Sequence, residues 1–291
     1  MSSSPHTSGA RPEVLRYAAF APEPSGGNPA GLVLDAGALD DATMLAIAAE
    51  VGYSETAFLR SRGDGDYDVR YFSPVAEVPF CGHATIAAGV ALAERSGSGR
   101  VVFHTRNGPV PVLTSRDAAG RPVVTLTSVA PSVHEVDDAD VTEALAALDW
   151  ASADLDSRLP PRVSYAGAHH LILAAATRER LATLAYDFDR LTTLMQARDW
   201  TTLQLVWRER VNLFHSRNPF PVGGVVEDPA TGAAAAALGA YLRTLDLVRL
   251  PARVTILQGQ DLGRPGRLEV AVSADRPEID VTGTAVEIPL G

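Results

Sequence analysis

The sequence predicts an α+β chain built from two related halves, and three observations carry that prediction. Short apolar runs with period-two alternation, the mark of strands, recur along all 291 residues, while only a few segments carry helical spacing. The stretch Glu77–Leu92 returns as Glu227–Leu242, with Glu77/Glu227, Pro79/Pro229, Gly82/Gly232, Ala84/Ala234, Ala87/Ala237, Gly89/Gly239 and Leu92/Leu242 matching, each pair 150 positions apart. A strand-like run precedes each copy: Asp68–Ser73 and Arg210–His215.

Taken in order, Val14–Phe20, Gly31–Asp35 and Glu55–Arg60 read as strands. Between them Asp41–Val51 reads as a helix, with an acid in its first turn and Gly52 as its stop. Small, helix-forming residues after Pro79 and again after Pro229 predict two buried helices, since Ala and Gly let surrounding backbone approach closely. Val101–Thr105, Val110–Thr114 and Pro122–Thr127 read as successive strands. The acid-rich stretch Ala130–Asp156 reads as a surface connection or a short solvated helix between the halves. Leu171–Ala175, Thr202–Trp207, Val254–Gln258, Arg267–Val272 and Ala285–Pro289 complete the strands, and Arg178–Ala197 reads as one helix. The expected organisation is a loose tail over residues 1–11, a first half over 12–122 plus 279–291, and a second half over 123–278.

Composition narrows the chemistry. A formal charge of −10 disfavours nucleic acid and anionic membranes, which both call for a basic surface, and points to a small-molecule substrate. All 25 basic residues are arginine, so no pyridoxal-phosphate aldimine or other lysine Schiff base can form. Cys81 is the single cysteine, which excludes intrachain disulfides and two-thiol mechanisms and suits a reducing compartment, hence a cytoplasmic protein. The first residues do not read as a signal peptide, and the most apolar windows fall short of the roughly 20 residues that span a bilayer. No His/Cys spacing resembles a zinc or iron site, and His169 and His170, adjacent on a strand, point to opposite faces. Neither metal nor organic cofactor is expected.

A helix start presents unpaired N–H groups that favour a carboxylate, so Gly82 and His83 in one copy and Gly232 and Ala233 in the other are candidate donors of a two-sided anion clamp. Glu55, at the entry of an apolar strand beside Tyr53, Ala57 and Phe58, is the candidate proton carrier, although a solvated strand-end acid would look the same. His83 reads equally as a helix-cap or core histidine. Asp228 reads equally as a turn acid.

The runs Gly27-Asn-Pro-Ala-Gly31, Ser54-Glu-Thr-Ala-Phe58, Arg70-Tyr-Phe-Ser-Pro74, Cys81-Gly-His-Ala-Thr85, Glu227-Asp-Pro-Ala-Thr-Gly232 and Gln258-Gly-Gln-Asp-Leu-Gly-Arg-Pro265 together resemble the PhzF-like family of phenazine biosynthesis. That resemblance implies the diaminopimelate-epimerase-like fold, each half a curved sheet around a central helix with the ligand between, and it implies a homodimer. It implies an isomerase in which Glu55 carries the proton while His83 and Asp228 bind and polarise a small carboxylated substrate. It places substrate-binding positions at Asn28, Ser54, Gly82, Thr85, Thr231, Gly232, Ala233 and Gly259. One departure stands out: the family commonly carries Ser where this chain has Ala233, so a hydroxyl donor is absent. Related epimerases place one cysteine at each central-helix start; here those places hold Cys81 and Thr231, an arrangement similar to hydroxyproline dehydratases, which keeps dehydration as an alternative. A silent ligand-binding or partner-binding dimer is the third reading. Cys81 also reads as a small buried hydrophobe.

Overall fold

The computed structural model describes residues 12–289; the tail expected over residues 1–11 lies outside them, as do the last two residues. The chain runs β1 (Leu15–Ala19), β2 (Asn28–Val33), α1 (Asp41–Val51), β3 (Glu55–Gly63), β4 (Asp66–Phe72), β5 (Glu77–Val78), α2 (Gly82–Ser96), β6 (Arg100–Thr105), β7 (Gly108–Arg116) and β8 (Pro122–Thr127). It continues through β9 (Ser132–His134), α3 (Asp138–Leu148), β10 (Arg162–Tyr165), β11 (His169–Ala174), α4 (Arg178–Ala182), α5 (Phe188–Arg198), β12 (Trp200–Arg210), β13 (Leu213–Phe220) and β14 (Val225–Asp228). It closes with α6 (Gly232–Thr244), β15 (Ala252–Gln258), β16 (Gly266–Val272), β17 (Ile279–Gly283) and β18 (Ala285–Glu287).

The strand pairings repeat. β1–β2 is antiparallel, β2–β3 parallel, β3–β4 and β4–β5 antiparallel, β4–β6 parallel, and β6–β7 and β7–β8 antiparallel. The same sequence of senses returns from β10 to β17, with β11–β12 and β13–β15 as the parallel pairs. β8 and β17 then pair antiparallel, and β1 pairs with β18. All the strands of the described residues thus belong to one connected sheet, wrapped as two units around α2 and α6.

Those two helices are apolar all round, which in a globular protein means burial on every side. Every residue from His83 to Ala93 is buried in α2, and every residue from Ala234 to Leu242 in α6. The repeated glycines mark the closest approach of each helix to its sheet. A Cβ on Gly89 would stand 2.8 Å from a Val124 methyl, and one on Gly239 would stand 2.8 Å from Val270 and 2.9 Å from Ile279. α1 covers the outer face of the first unit through Met44, Ile47 and Ala48, against Phe58 and Phe72. α3 and α5 cover the outer face of β11 and β12.

Several expectations need correction. Ala130–Asp156 is neither a surface connection nor a solvated helix: it holds β9 and α3, and Ala144, Leu145, Ala147, Leu148 and Trp150 bury a face of that segment in the second outer core. Most of its acids stay outside that face, but Asp140 is buried too, paired with Arg198 at 2.7 Å. Arg178–Ala197 is two helices, because Asp187 turns its side chain onto the Arg190 N–H and starts α5 afresh. Arg210–His215 straddles the hairpin between β12 and β13 rather than forming one strand. No helix among the described residues is long and apolar enough to cross a membrane.

Candidate active site

Residues far apart in the chain meet where α2 and α6 begin, and the two helices touch. Their N-cap residues, Cys81 and Thr231, have extended backbones and cap neither helix with a side chain, so the first-turn N–H groups of Gly82 and His83, and of Gly232 and Ala233, are left for another acceptor. Both starts are held by an ion pair that periodicity could not reveal. Arg70 on β4 grips Glu77 through two hydrogen bonds of 2.8 and 2.7 Å, and Arg217 on β13 grips Glu227 at 3.0 and 2.5 Å. Only the acids of these pairs lie in the repeat read from the sequence.

Asn28 is the hub. Its Nδ2 donates to Asp228 Oδ1 at 2.7 Å and to the Ala230 carbonyl at 3.1 Å, and it lies 3.2 Å from His83 Nδ1. With both amide hydrogens directed at those oxygens, none is left for His83 Nδ1, and the amide nitrogen there offers no acceptor, so a ring with a single hydrogen carries it on Nε2. That Nε2 faces Glu55 Oε2 at 3.4 Å and Ser54 Oγ at 3.5 Å. The Cys81 thiol lies 3.5 Å from the same Glu55 oxygen and 3.3 Å from His83 Nδ1. Glu55 opens β3 and stays partly open to solvent, unlike its two neighbours, so it can reach a ligand.

Burial pushes the Cys81 thiol well up, and the nearby Glu55 carboxylate adds to the shift. Burial also pushes the Asp228 carboxyl up, against the opposing pull of His83 and of hydrogen bonds from Thr231 and Asn28. Gln258 supports the loop from below, donating to the Asp228 carbonyl and to Thr231 Oγ1 and accepting from the Thr231 N–H. Arg264 donates to the Gly26 and Gly27 carbonyls and so ties the second unit to the loop before β2. Gln258 and Arg264 lay inside a motif quoted from the sequence, yet neither stood out as a site residue.

The structure thus gathers Asn28, Ser54, Glu55, Gly82, His83, Asp228, Thr231, Gly232 and Ala233 around the helix starts. Thr85 and Gly259 adjoin the same segments but turn no side-chain group toward a ligand. The Thr85 hydroxyl is spent inside the core on the Cys81 carbonyl and Tyr71. Gly259, at φ +80°, makes a turn whose close packing against the Arg264 and Pro229 carbonyls leaves no space for a Cβ. Glu55, Cys81 and His83 also offer three donor atoms within 4.8 Å of one another, a group that sequence spacing did not suggest. A metal on Nε2 would move the ring hydrogen to Nδ1, where it would confront the Asn28 amide rather than the acceptor that a ligating histidine needs. The donor set therefore fits hydrogen bonding better than metal.

Residues 17–291 match the profile of the PhzC-PhzF family, described as phenazine biosynthesis-like protein. The chain belongs to the PhzF family. It is an isomerase of that family, in which the relatives carry that name. A Bacillus subtilis protein named an uncharacterized isomerase is 31% identical to this PhzF-family chain, covering 94% of the chain and 96% of the relative. The trans-2,3-dihydro-3-hydroxyanthranilate isomerase of Pseudomonas fluorescens is 30% identical, with 94% and 96% covered. The crystal structure of a Bacillus anthracis phenazine biosynthesis protein of the PhzF family superposes with a TM-score of 0.86 at 28% identity, over 95% of this chain and 96% of that one. A hydroxyproline epimerase of Agrobacterium vitis shares the fold alone, with a TM-score of 0.63 at 14% identity over 95% and 90%. These likenesses and the repeated topology establish the diaminopimelate-epimerase-like α+β fold.

Proposed function

We propose that this isomerase moves a proton along a small carboxylated, cyclic or conjugated substrate held between the starts of α2 and α6, with Glu55 as the proton carrier and without metal or organic cofactor. The observation that carries this reading is the convergence of Glu55, His83 and Asp228 around Asn28. The Glu55 carboxylate removes a proton from a carbon activated by the conjugated system, and the electron pair left behind spreads toward the substrate carboxylate. The free N–H groups of the two helix starts lie where that charge develops. His83 Nε2, at 3.4 Å, and the Cys81 S–H, at 3.5 Å, both lie beside Glu55 Oε2 and hold the carboxylate in place. Glu55 then returns the proton at another carbon, so no net proton is gained or lost. Ala233 offers only its backbone N–H, which favours a substrate of this class with no group needing a hydroxyl donor at that place.

Dehydration through Cys81 is the weaker reading, because burial holds the thiol protonated and a thiol is a poor base. We also propose a cytoplasmic homodimer, for which multi-angle light scattering should return twice 30.7 kDa; a mass of one chain would refute it. A division into two halves is likewise proposed, with the boundaries expected near residues 122 and 279 moved past β8 and β17, since β8 packs on α2 and β17 on α6, and with the β8–β17 pair as the seam.

The mechanism is tested by Glu55→Gln, which keeps size and hydrogen bonding but cannot carry the proton. With trans-2,3-dihydro-3-hydroxyanthranilate as first probe, turnover should fall by roughly 10²-fold or more while fold and affinity persist, and Cys81→Ala should lose much less. In deuterated water, wild-type product should acquire solvent deuterium through Glu55. Wild-type turnover in Glu55→Gln with a dead Cys81→Ala would replace this reading by a thiol-dependent lyase.

A further inference from the structure

The second unit contains a polar centre that mirrors the one around Glu55 and that this mechanism does not use. The two ion pairs fix the correspondence between the units. Arg70 lies opposite Phe58, and Arg217 lies opposite Leu205, so three residues earlier on each strand Glu55 corresponds to Thr202. On the parallel neighbours, Glu55 is in register with Ala30 and Thr202 with His170. On the central helices, His83 corresponds to Ala233. The units have therefore exchanged a large residue for a small one. Each keeps an imidazole beside the Glu55/Thr202 position, supplied by the helix in one and by the strand in the other. His83 lies 3.4 Å from Glu55, and His170 lies 2.8 Å from Thr202.

A chain of hydrogen bonds sets the tautomer of the second ring. Ser216 Oγ donates to Asn218 Oδ1 at 2.9 Å, and Asn218 Nδ2 donates to Thr202 Oγ1 at 3.0 Å. The Thr202 hydrogen is then free to go to His170 Nδ1, which leaves the ring hydrogen on Nε2. That Nε2 has no partner. Neither has the amide oxygen or nitrogen of Gln204, which faces the same side of the sheet one alternation further along β12. Both side chains are fully buried, where an unpartnered polar atom costs free energy that a bound polar group would offset. Desolvation lowers His170 to about 3, so the ring stays neutral and Nε2 stays a donor at any working pH.

We propose that His170 Nε2–H and the Gln204 amide form a recognition subsite for an uncharged oxygen substituent of the substrate, a hydroxyl above all. A hydroxyl accepts from His170 and exchanges a hydrogen bond with Gln204. The proposal rests on the reading that a small carboxylated substrate lies between the helix starts, and it assigns the second unit the task of sensing what else that substrate carries.

The test titrates 3-hydroxyanthranilate and anthranilate, which differ by one hydroxyl, into wild type, Gln204→Leu and His170→Gln by calorimetry, with thermal melting of each protein. Wild type should prefer the hydroxylated ligand by about tenfold or more, because a site built for a hydroxyl rejects the analogue without it. In Gln204→Leu that preference should fall close to one while the melting temperature holds or rises, since two unpartnered polar atoms are gone; His170→Gln, which retains a polar tip, should keep part of it. The subsite is refuted if wild type shows no preference, failure to bind either ligand included. It is equally refuted if the preference survives Gln204→Leu, the result for a place that holds only a buried water. Turnover is read separately: a hydroxyl preference without isomerisation would sink the proposed reaction and leave the subsite standing.

Discussion

Cys81 shows how one residue can sit among the groups proposed to catalyse without sharing their chemistry. Its sulfur lies 3.3 Å from His83 Nδ1 and 3.5 Å from Glu55 Oε2, yet desolvation and the Glu55 charge both favour the protonated thiol. Reactivity follows the thiolate fraction and access. Iodoacetamide at pH 8 should therefore label the native protein at least about tenfold more slowly than the urea-unfolded chain, as followed by intact mass. Equal rates would mean an exposed or activated thiol. The sequence named Cys81 as a small buried residue, and its burial agrees with that reading; what no pattern shows is the company it keeps. Glu55, Cys81, Asn28 and Asp228 come from four separate segments, and only folding brings them together.

At the scale of elements, the repeat was legible because composition records packing. Gly89 and Gly239 match across the copies, and each stands where strand side chains press against its helix: Val124 on β8 in one case, Val270 on β16 and Ile279 on β17 in the other. Gly239→Ala would gain helix propensity but would thrust a methyl into two buried side chains. Overpacking should win, destabilising the protein by about 1–3 kcal/mol in urea unfolding, with the same sign for Gly89→Ala. A stabilised variant would show that the strands yield freely. The misread elements share a physical cause. The break between α4 and α5 depends on the Asp187 side chain choosing the Arg190 N–H, and the helix within Ala130–Asp156 gains its stability from an apolar face docked on β11 and β12. Local charge and spacing cannot reveal a partner surface. Likewise Arg70 and Arg217 could be read as strand residues but not as the grips on Glu77 and Glu227.

At the scale of the whole molecule, the buried apolar side chains around α2 and α6 form one continuous core, so unfolding either unit exposes what the other depends on. Groups deep in that body should report on global stability, and His170 is the clearest of them. Its burial without charge lowers it to about 3 in the folded protein, against about 6.5 in an unfolded chain. Below pH 6.5 the unfolded chain binds a proton that the folded protein refuses. The stability contributed by keeping this ring neutral is therefore complete above pH 6.5, declines as pH falls, and is lost by about pH 3. The slope is about 1.4 kcal/mol per pH unit once the unfolded histidine is charged, which amounts to about 2 kcal/mol between pH 7 and pH 5. Groups that titrate alike in both proteins cancel in the comparison. His170→Gln has no such proton to take up: its unfolding free energy should start lower at pH 7, for loss of the ring, but should fall by about 2 kcal/mol less than wild type on going to pH 5. Urea unfolding of the two proteins at both pH values decides the matter. Parallel losses would mean that His170 binds its proton in the folded state, and the neutral donor inferred for the second unit would go with it.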